Sequence, residues 1–386
     1  NLISDSNLDH AAFCARLDRG SLVAWGHAGR GADLGPTLPA LTDIVSVCPS
    51  GYAFAARRAD GRVVAWGRTA DGGVVPAPIA ELTDIVTVTG NGYAFVAIRR
   101  DGSLVAWGGG RHGADLPAPI AALKDVVAVI GNLSSFAALR SNGSVVAWGD
   151  PAAGGTVPDP IAALTDIREL TGNHMAFTAL RMDGSVVAWG RTDSIGEVPE
   201  SIALLKDIEE VSSTLQAFTV RRTNGSAMAW GNPSYGAFLP GEIAELTDIR
   251  SVTGNRAAFV AMRANGSVVA WGANAGGGNL PDPVTALTNI VQVAAAANAF
   301  AALCADGSVV AWGHPGFGGE IPELIAAQLT NVHAIYANTH AFAALTRDGR
   351  VVTWGRERAG GNSEIVADEL NGKISYEDLP VSSRLA

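Results

Sequence analysis

The sequence predicts an all-β fold, a single β-propeller of nine blades of about 41 residues, on three observations. All nine tryptophans lie in copies of one stretch, typified by Asp306 to Gly313: Trp25, Trp66, Trp107, Trp148, Trp189, Trp230, Trp271, Trp312 and Trp354. Successive spacings are 41 residues seven times and 42 once, a period in the range of propeller blades. Each copy holds short β-branched runs punctuated by Gly, Asn and Asp, and no copy holds a long run at helical spacing. So small a sheet must bury its faces on its neighbours, and radial stacking around an axis is the usual solution. The alternative is a smaller ring with one or two repeats left over, because most propellers have about four to eight blades.

The copy ending at Trp189 illustrates the elements. Ile167 to Leu170, with counterparts Ile44 to Val47, Ile85 to Val88 and Val126 to Val129, reads as a first strand. Gly172-Asn173 follows, as do Gly90-Asn91, Gly131-Asn132 and Gly254-Asn255, and is read as a turn whose residues tolerate positive φ. Ala176 to Arg181 is the second strand. Asp183-Gly184 then turns into the third, Val186 to Gly190; Asp-Gly or Asn-Gly recurs here in eight copies, which reads as a type I′ hairpin. A short Val-Pro piece such as Val157-Pro158 reads as a fourth, outer edge strand, since proline cannot donate to a ladder. Trp in an apolar strand flanked by Ala and Gly reads as inter-blade core, and all nine are assigned that structural role. The alanines around Phe54 and Phe342 let neighbouring sheets approach closely. The terminal copies depart from the pattern, with Leu2 to Ser6 where others have a β-branched strand, and Ser363-Glu364 in place of Val-Pro. The propeller is therefore expected over 1–370, with 371–386 a tail or linker.

The recurring Ala-Leu-Arg-x-Asp-Gly-Ser-Val-Val-Ala-Trp-Gly resembles the regulator of chromosome condensation repeat, whose blades end in Asp-Gly-x-Val-x-x-Trp-Gly. Its shorter period and Val-Ala-Trp-Gly ending are closer in style to the propeller-type β-lactamase inhibitor proteins of bacteria. The resemblance spans Leu2 to about Leu370 and implies a propeller fold. The sequence departs from the family where the second strand opens with Ala-Phe (Ala94-Phe95, Ala258-Phe259) rather than His followed by Ser or Thr.

Composition excludes several functions. The net charge of −10 carries no basic block, which argues against nucleic acid as partner. No apolar run approaches the roughly 18 residues needed to span a bilayer, so membrane insertion is not expected. Cys14, Cys48 and Cys304 form no CxxC pair; they read as buried apolar residues, with a Cys14–Cys48 disulfide left open. Gly108 to Gly113 matches GxGxxG by letters but opens no helix. The seven histidines show no zinc spacing, and no Ser sits in a GxSxG elbow. The Asn-Gly-Ser triplets at Asn142, Asn224 and Asn265 read as Asn standing in for the turn Asp. No enzyme, metal or cofactor is expected.

Chain parity sends the first–second loops and the segments after each Trp-Gly to one face. That face varies from copy to copy, while the Asp-Gly turns opposite barely change. Polar and aromatic loops on a rigid scaffold are where binding usually sits. The candidate partner-binding residues are Arg30, Tyr52, Tyr93, His112, His174, Arg191, Tyr235, Arg256, His314, Phe317 and His340. The expected function is a non-enzymatic, monomeric protein-binding scaffold. A glycan-binding propeller and a rigid spacer are the alternatives, the former disfavoured because a repeated sugar site would recur in the loops. A secreted or surface part of a larger bacterial protein is the expected setting.

Overall fold

A computed structural model describes residues 11–191 and 195–374. Leu2 to Ser6 and residues 375–386 lie outside the described residues. The chain forms nine antiparallel sheets, each three-stranded except the first, whose described part has two strands. Blades are numbered here by their tryptophans, from Trp25 in blade 1 to Trp354 in blade 9. In blade 2 the inner strand is Ile44–Pro49, the middle strand Ala53–Arg58 and the outer strand Val63–Gly67. Inner strands of successive blades pack on one another, and side chains such as Ser212 Oγ bond the next inner strand, here the Val252 carbonyl at 2.8 Å. Each inner strand from blade 2 onward carries a bulge at its second residue, which leaves Val45, Val86, Val127 and Val291 exposed.

The blade core follows from the alternation of side chains along the middle strand. One face carries Phe54 and Ala56; the other carries Ala53 and Ala55, small enough for the next blade's aromatic face to approach. Each Phe lies directly opposite the blade's Trp, as Phe54 opposite Trp66. All nine Phe–Trp pairs have ring centroids 5.2–5.7 Å apart. Every Trp is buried, and its Nε1–H donates to a carbonyl in the preceding blade's loop at 2.9–3.3 Å. The acceptor is a glycine in eight cases and Ile195 for Trp230. Glycine is needed at Gly31 because its φ is +97° and an added Cβ would lie 2.5 Å from the Phe54 ring.

The ring closes with nine blades, which sets aside the smaller ring with surplus repeats. Trp25 Nε1 donates to the Gly360 carbonyl at 3.1 Å, joining blade 1 to blade 9 as every other pair is joined. Phe13, Val23 and Trp25 share a core with Ala341, Ala343 and Leu370. Asp18 N–H donates to the Lys373 carbonyl at 2.8 Å, and Gly372 N–H to Gly349 at 3.0 Å.

Three local expectations are corrected. The Val-Pro piece forms no fourth strand: Pro76 precedes a single helical turn, Ala77–Ala80, and its carbonyl accepts from Ile79 and Ala80. Proline suits a helix start, where its missing N–H would have no partner, and the Ile of the turn packs into the inter-blade core. The Asp-Gly hairpin is not type I′, because only the glycine has positive φ (Gly61, +82°). Gly61 N–H bonds Arg58, Arg58 N–H bonds Arg62, and Asp60 Oδ1 accepts from Arg62 N–H, the pattern of a three-residue loop closed by a left-handed glycine. Nor do Gly90 and Asn91 take positive φ. Gly90 is small because a Cβ there would meet the Pro49 carbonyl of blade 2 at 2.1 Å, and Asn91 acts through its side chain.

Candidate functional site

Three strands per blade return the outer strand to the end where the inner strand finished, so the inner–middle loops and the outer-strand exits share one face. On the axis, the inner–middle loops of blades 2 to 9 enclose a funnel of about 440 Å³. A hoop of backbone bonds links them. Gly51 N–H donates to Asn91, Gly92 to Leu133, Leu215 to Arg256, Arg256 to Ala297 and Ala297 to Thr339, all at 2.9–3.1 Å. Most of these loops are also tied to their own blade's exit. Asn132 Oδ1 accepts from the Ser134 and Ser135 N–H groups while its Nδ2 donates to the Ala153 carbonyl at 2.6 Å. Asn91, Asn255 and Asn338 repeat this tether, and the Thr214 hydroxyl substitutes for it in blade 6. The Asn of the Gly90-Asn91, Gly131-Asn132 and Gly254-Asn255 pairs thus fixes the position of both variable loops, whereas Asn173 holds only its own loop through Oδ1.

Four candidate residues form one stack across blades 1 to 3. The Arg30 guanidinium lies 3.8 Å from the Tyr52 ring centre and donates to the Gly51 carbonyl. The Tyr52 and Tyr93 rings stack at 5.5 Å, and Tyr93 meets His112 at 4.3 Å. Two residues that the sequence reading omitted complete it. Arg68 lies 5.0 Å from the Tyr52 ring and 3.0 Å from the buried Asp71 carboxylate. Burial holds the Asp71 carboxyl above its usual range, against the opposing pull of Arg68, His112 and Arg30. The signal was present: Arg30, Asp71 and His112 each stand five residues after a tryptophan.

A second group joins blades 8 and 9. Phe317 stacks on the buried His340 at 4.7 Å and meets His314 edge-on at 5.2 Å. His174 and Arg256 line the funnel, where burial first and the Arg256 charge second hold the His174 imidazole below its usual value. Tyr235 is half-buried against the core between blades 6 and 7, and its carbonyl accepts from Thr214. Arg191 is exposed at the exit of blade 5.

The cysteines are free, so the Cys14–Cys48 disulfide is not formed; burial pushes both thiols up to about 12. Among the described residues no group of three His, Cys, Asp or Glu could hold a metal ion. No helix among them is long and apolar enough to cross a membrane.

No family model matches the sequence, and neither does any curated protein. Among solved structures the chain is similar to the receptor kinase CR4 ectodomain of Physcomitrella patens, at 15% identity over 81% of this chain and 73% of that one, with a TM-score of 0.46. It is also similar to Prp20p of Saccharomyces cerevisiae, a structure described with its binding to Gsp1p and histones, at 18% identity over 93% and 84%, TM-score 0.43. The CRINKLY WD40 ectodomain of Arabidopsis thaliana ACR4 matches at 15% over 81% and 96%, TM-score 0.44. A further match is described as yeast RCC1 (Prp20) bound to Kap60. These likenesses are of fold alone, and the narrower resemblance to β-lactamase inhibitor proteins gains no support from them.

Proposed function

We propose that the chain is a non-enzymatic scaffold that binds a partner protein through the face carrying the inner–middle loops and outer-strand exits. The observation that carries this is the stack of Arg30, Tyr52, Tyr93 and His112, which runs across three blades and, among the described residues, is matched elsewhere only in part, by Phe317 on His340. A sugar site multiplied by the repeat would recur; a composite surface for one partner would not. Tyr and Arg are the residue types that anchor protein interfaces, and a guanidinium over an aromatic ring contributes about 0.5–2 kcal/mol to holding such an anchor in place. The Asn tethers and backbone hoop hold the loops rigid before binding, which reduces the ordering that association demands.

The test is affinity capture with purified wild type, a Tyr93→Ser/Arg68→Glu variant and a control, Arg62→Glu, on the opposite face. Capture should fail for the first variant and persist for the control, with the native β-sheet circular dichroism retained in both, the first melting somewhat lower because Asp71 loses its partner. Equal capture by all three refutes the reading. Saturable binding of one sugar class on a glycan array would replace it with the lectin alternative.

A further inference from the structure

The inference deepens the reading of this face as a protein-binding face and rests on it. We propose that the axial funnel receives a single carboxylate, carried on an acidic loop or chain end of the partner protein, and that Arg256 pairs with it. The funnel's volume of about 440 Å³ lies within the range of ligand pockets, about 300–1,000 Å³, and admits a short chain segment rather than a domain.

The wall leaves few groups for a ligand. The hoop already uses the N–H groups of Gly51, Gly92, Leu215, Arg256 and Ala297. The tethers occupy both ends of the Asn91, Asn132 and Asn255 side chains. A phosphate held by backbone amides therefore has no cradle here. No Asp or Glu lines the funnel, and Arg256 is the lining residue with a permanent charge.

Arg256 is exposed, and among the described residues no ion pair engages its guanidinium. The contrast lies at the opposite end of the blades. There Arg58, Arg99, Arg140, Arg181, Arg222 and Arg263 each pair with the Asp fifteen residues earlier at 2.8–3.0 Å. His174 adds no second charge at neutral pH, since burial and Arg256 keep its imidazole neutral. One cation beside one neutral hydrogen-bonding ring, flanked by Leu133 and Leu215, suits one carboxylate with apolar neighbours. On a chain of net charge −10, a cation in a funnel without Asp or Glu favours entry of the acidic end of a segment over its other residues, which orients its docking.

The experiment uses the full chain and a hexapeptide library with Asp fixed at one central position, its Asn-fixed counterpart, sodium acetate and inorganic phosphate. His174 is followed by NMR. The Asp library should bind at least tenfold tighter than the Asn library and raise the His174 pKa. Arg256→Gln should abolish that preference and Arg256→Lys restore part of it. Equal binding of the two libraries, or an unchanged preference in Arg256→Gln, overturns the proposal. So does acetate or phosphate binding as tightly as the peptides, since the ligand would then be a free anion. In the capture assay, loss with Tyr93→Ser/Arg68→Glu but not with Arg256→Gln sinks this inference alone. Retention by both sinks the binding face as well.

Discussion

Trp25→Ala tests the ring seam directly. Its side chain is buried, stacks on Phe13 at 5.3 Å and donates to the Gly360 carbonyl, 335 residues away, at 3.1 Å. Burying an aromatic side chain removes about 150–250 Å² from water, worth about 4–6 kcal/mol at about 25 cal/mol per Å². Measured Trp→Ala substitutions in cores fall at about 3–5 kcal/mol, so about 4 kcal/mol is expected. Urea denaturation reads the total, and hydrogen exchange reads where it is lost. Because each blade touches mainly its neighbours, stability is a sum of local interfaces. Protection in Ala12–Arg16 and Ala341–Thr346 should fall by about a thousandfold, while Ala176–Arg181 across the ring is spared. Trp148→Ala should cost about as much but lower protection in Ala94–Arg99 and Ser135–Arg140 instead. If both substitutions produce the same exchange map, or Trp25→Ala leaves blade 1 protected, blades 1 and 9 are not joined as the structure has them.

Four other outcomes are expected. Gly90→Ala places a Cβ 2.1 Å from the Pro49 carbonyl without any φ penalty, so it should destabilise by about 1–3 kcal/mol through blade separation alone. Gly241→Ala, at a helix start with nothing within 4 Å, should stabilise by about 0.4–1 kcal/mol; the reverse order of melting temperatures would refute the close-approach account. Asn132→Ala removes both ends of a loop tether and should lower stability by about 1–3 kcal/mol and raise exchange at Ser134 and Ser135; unchanged exchange there would show the tether to be idle. In acid, Asp101, Asp183 and Asp306 are held below the usual carboxylate range, first by the hydroxyls of Ser103, Ser185 and Ser308. A lowered folded pKa means stability present above about pH 4 and lost as pH falls through the folded value. The triple Asn variant should melt like wild type at pH 7 yet decline less between pH 4 and 2. Asn142, Asn224 and Asn265 already make the same two bonds with an amide oxygen. An identical acid decline would place the titrating groups elsewhere.

The fold was legible because its information repeats. A single Trp in an apolar strand says little, but nine at one spacing fix the blade length, the strand that bears each Trp and the common orientation of the blades. What the period concealed was the chemistry of connections. Val75-Pro76 satisfies the rules for an edge strand and for a helix start equally well, and the outcome depends on Ile79 reaching the next blade's core. Gly90 reads as a turn residue in one dimension, and only the neighbouring blade's Pro49 carbonyl explains it.

The candidate site was legible by face but not by grouping. Parity sent Tyr52 and Arg30 to the same end, yet nothing within either repeat says that a residue five positions after one Trp packs on the loop of the following blade. That rule comes from the radial stacking, and it is the rule that joins Arg30 to Tyr52 and Phe317 to His340. Asp71 was overlooked because a carboxylate among turn aspartates looks like another turn residue. Its burial beside Arg68, near enough to His112 and Arg30 to feel their charges, separates it from the exposed Asp60 and Asp101 of the opposite face. A repeat protein therefore states its scaffold once per period, whereas its binding surface is written in the positions where one period differs from the next.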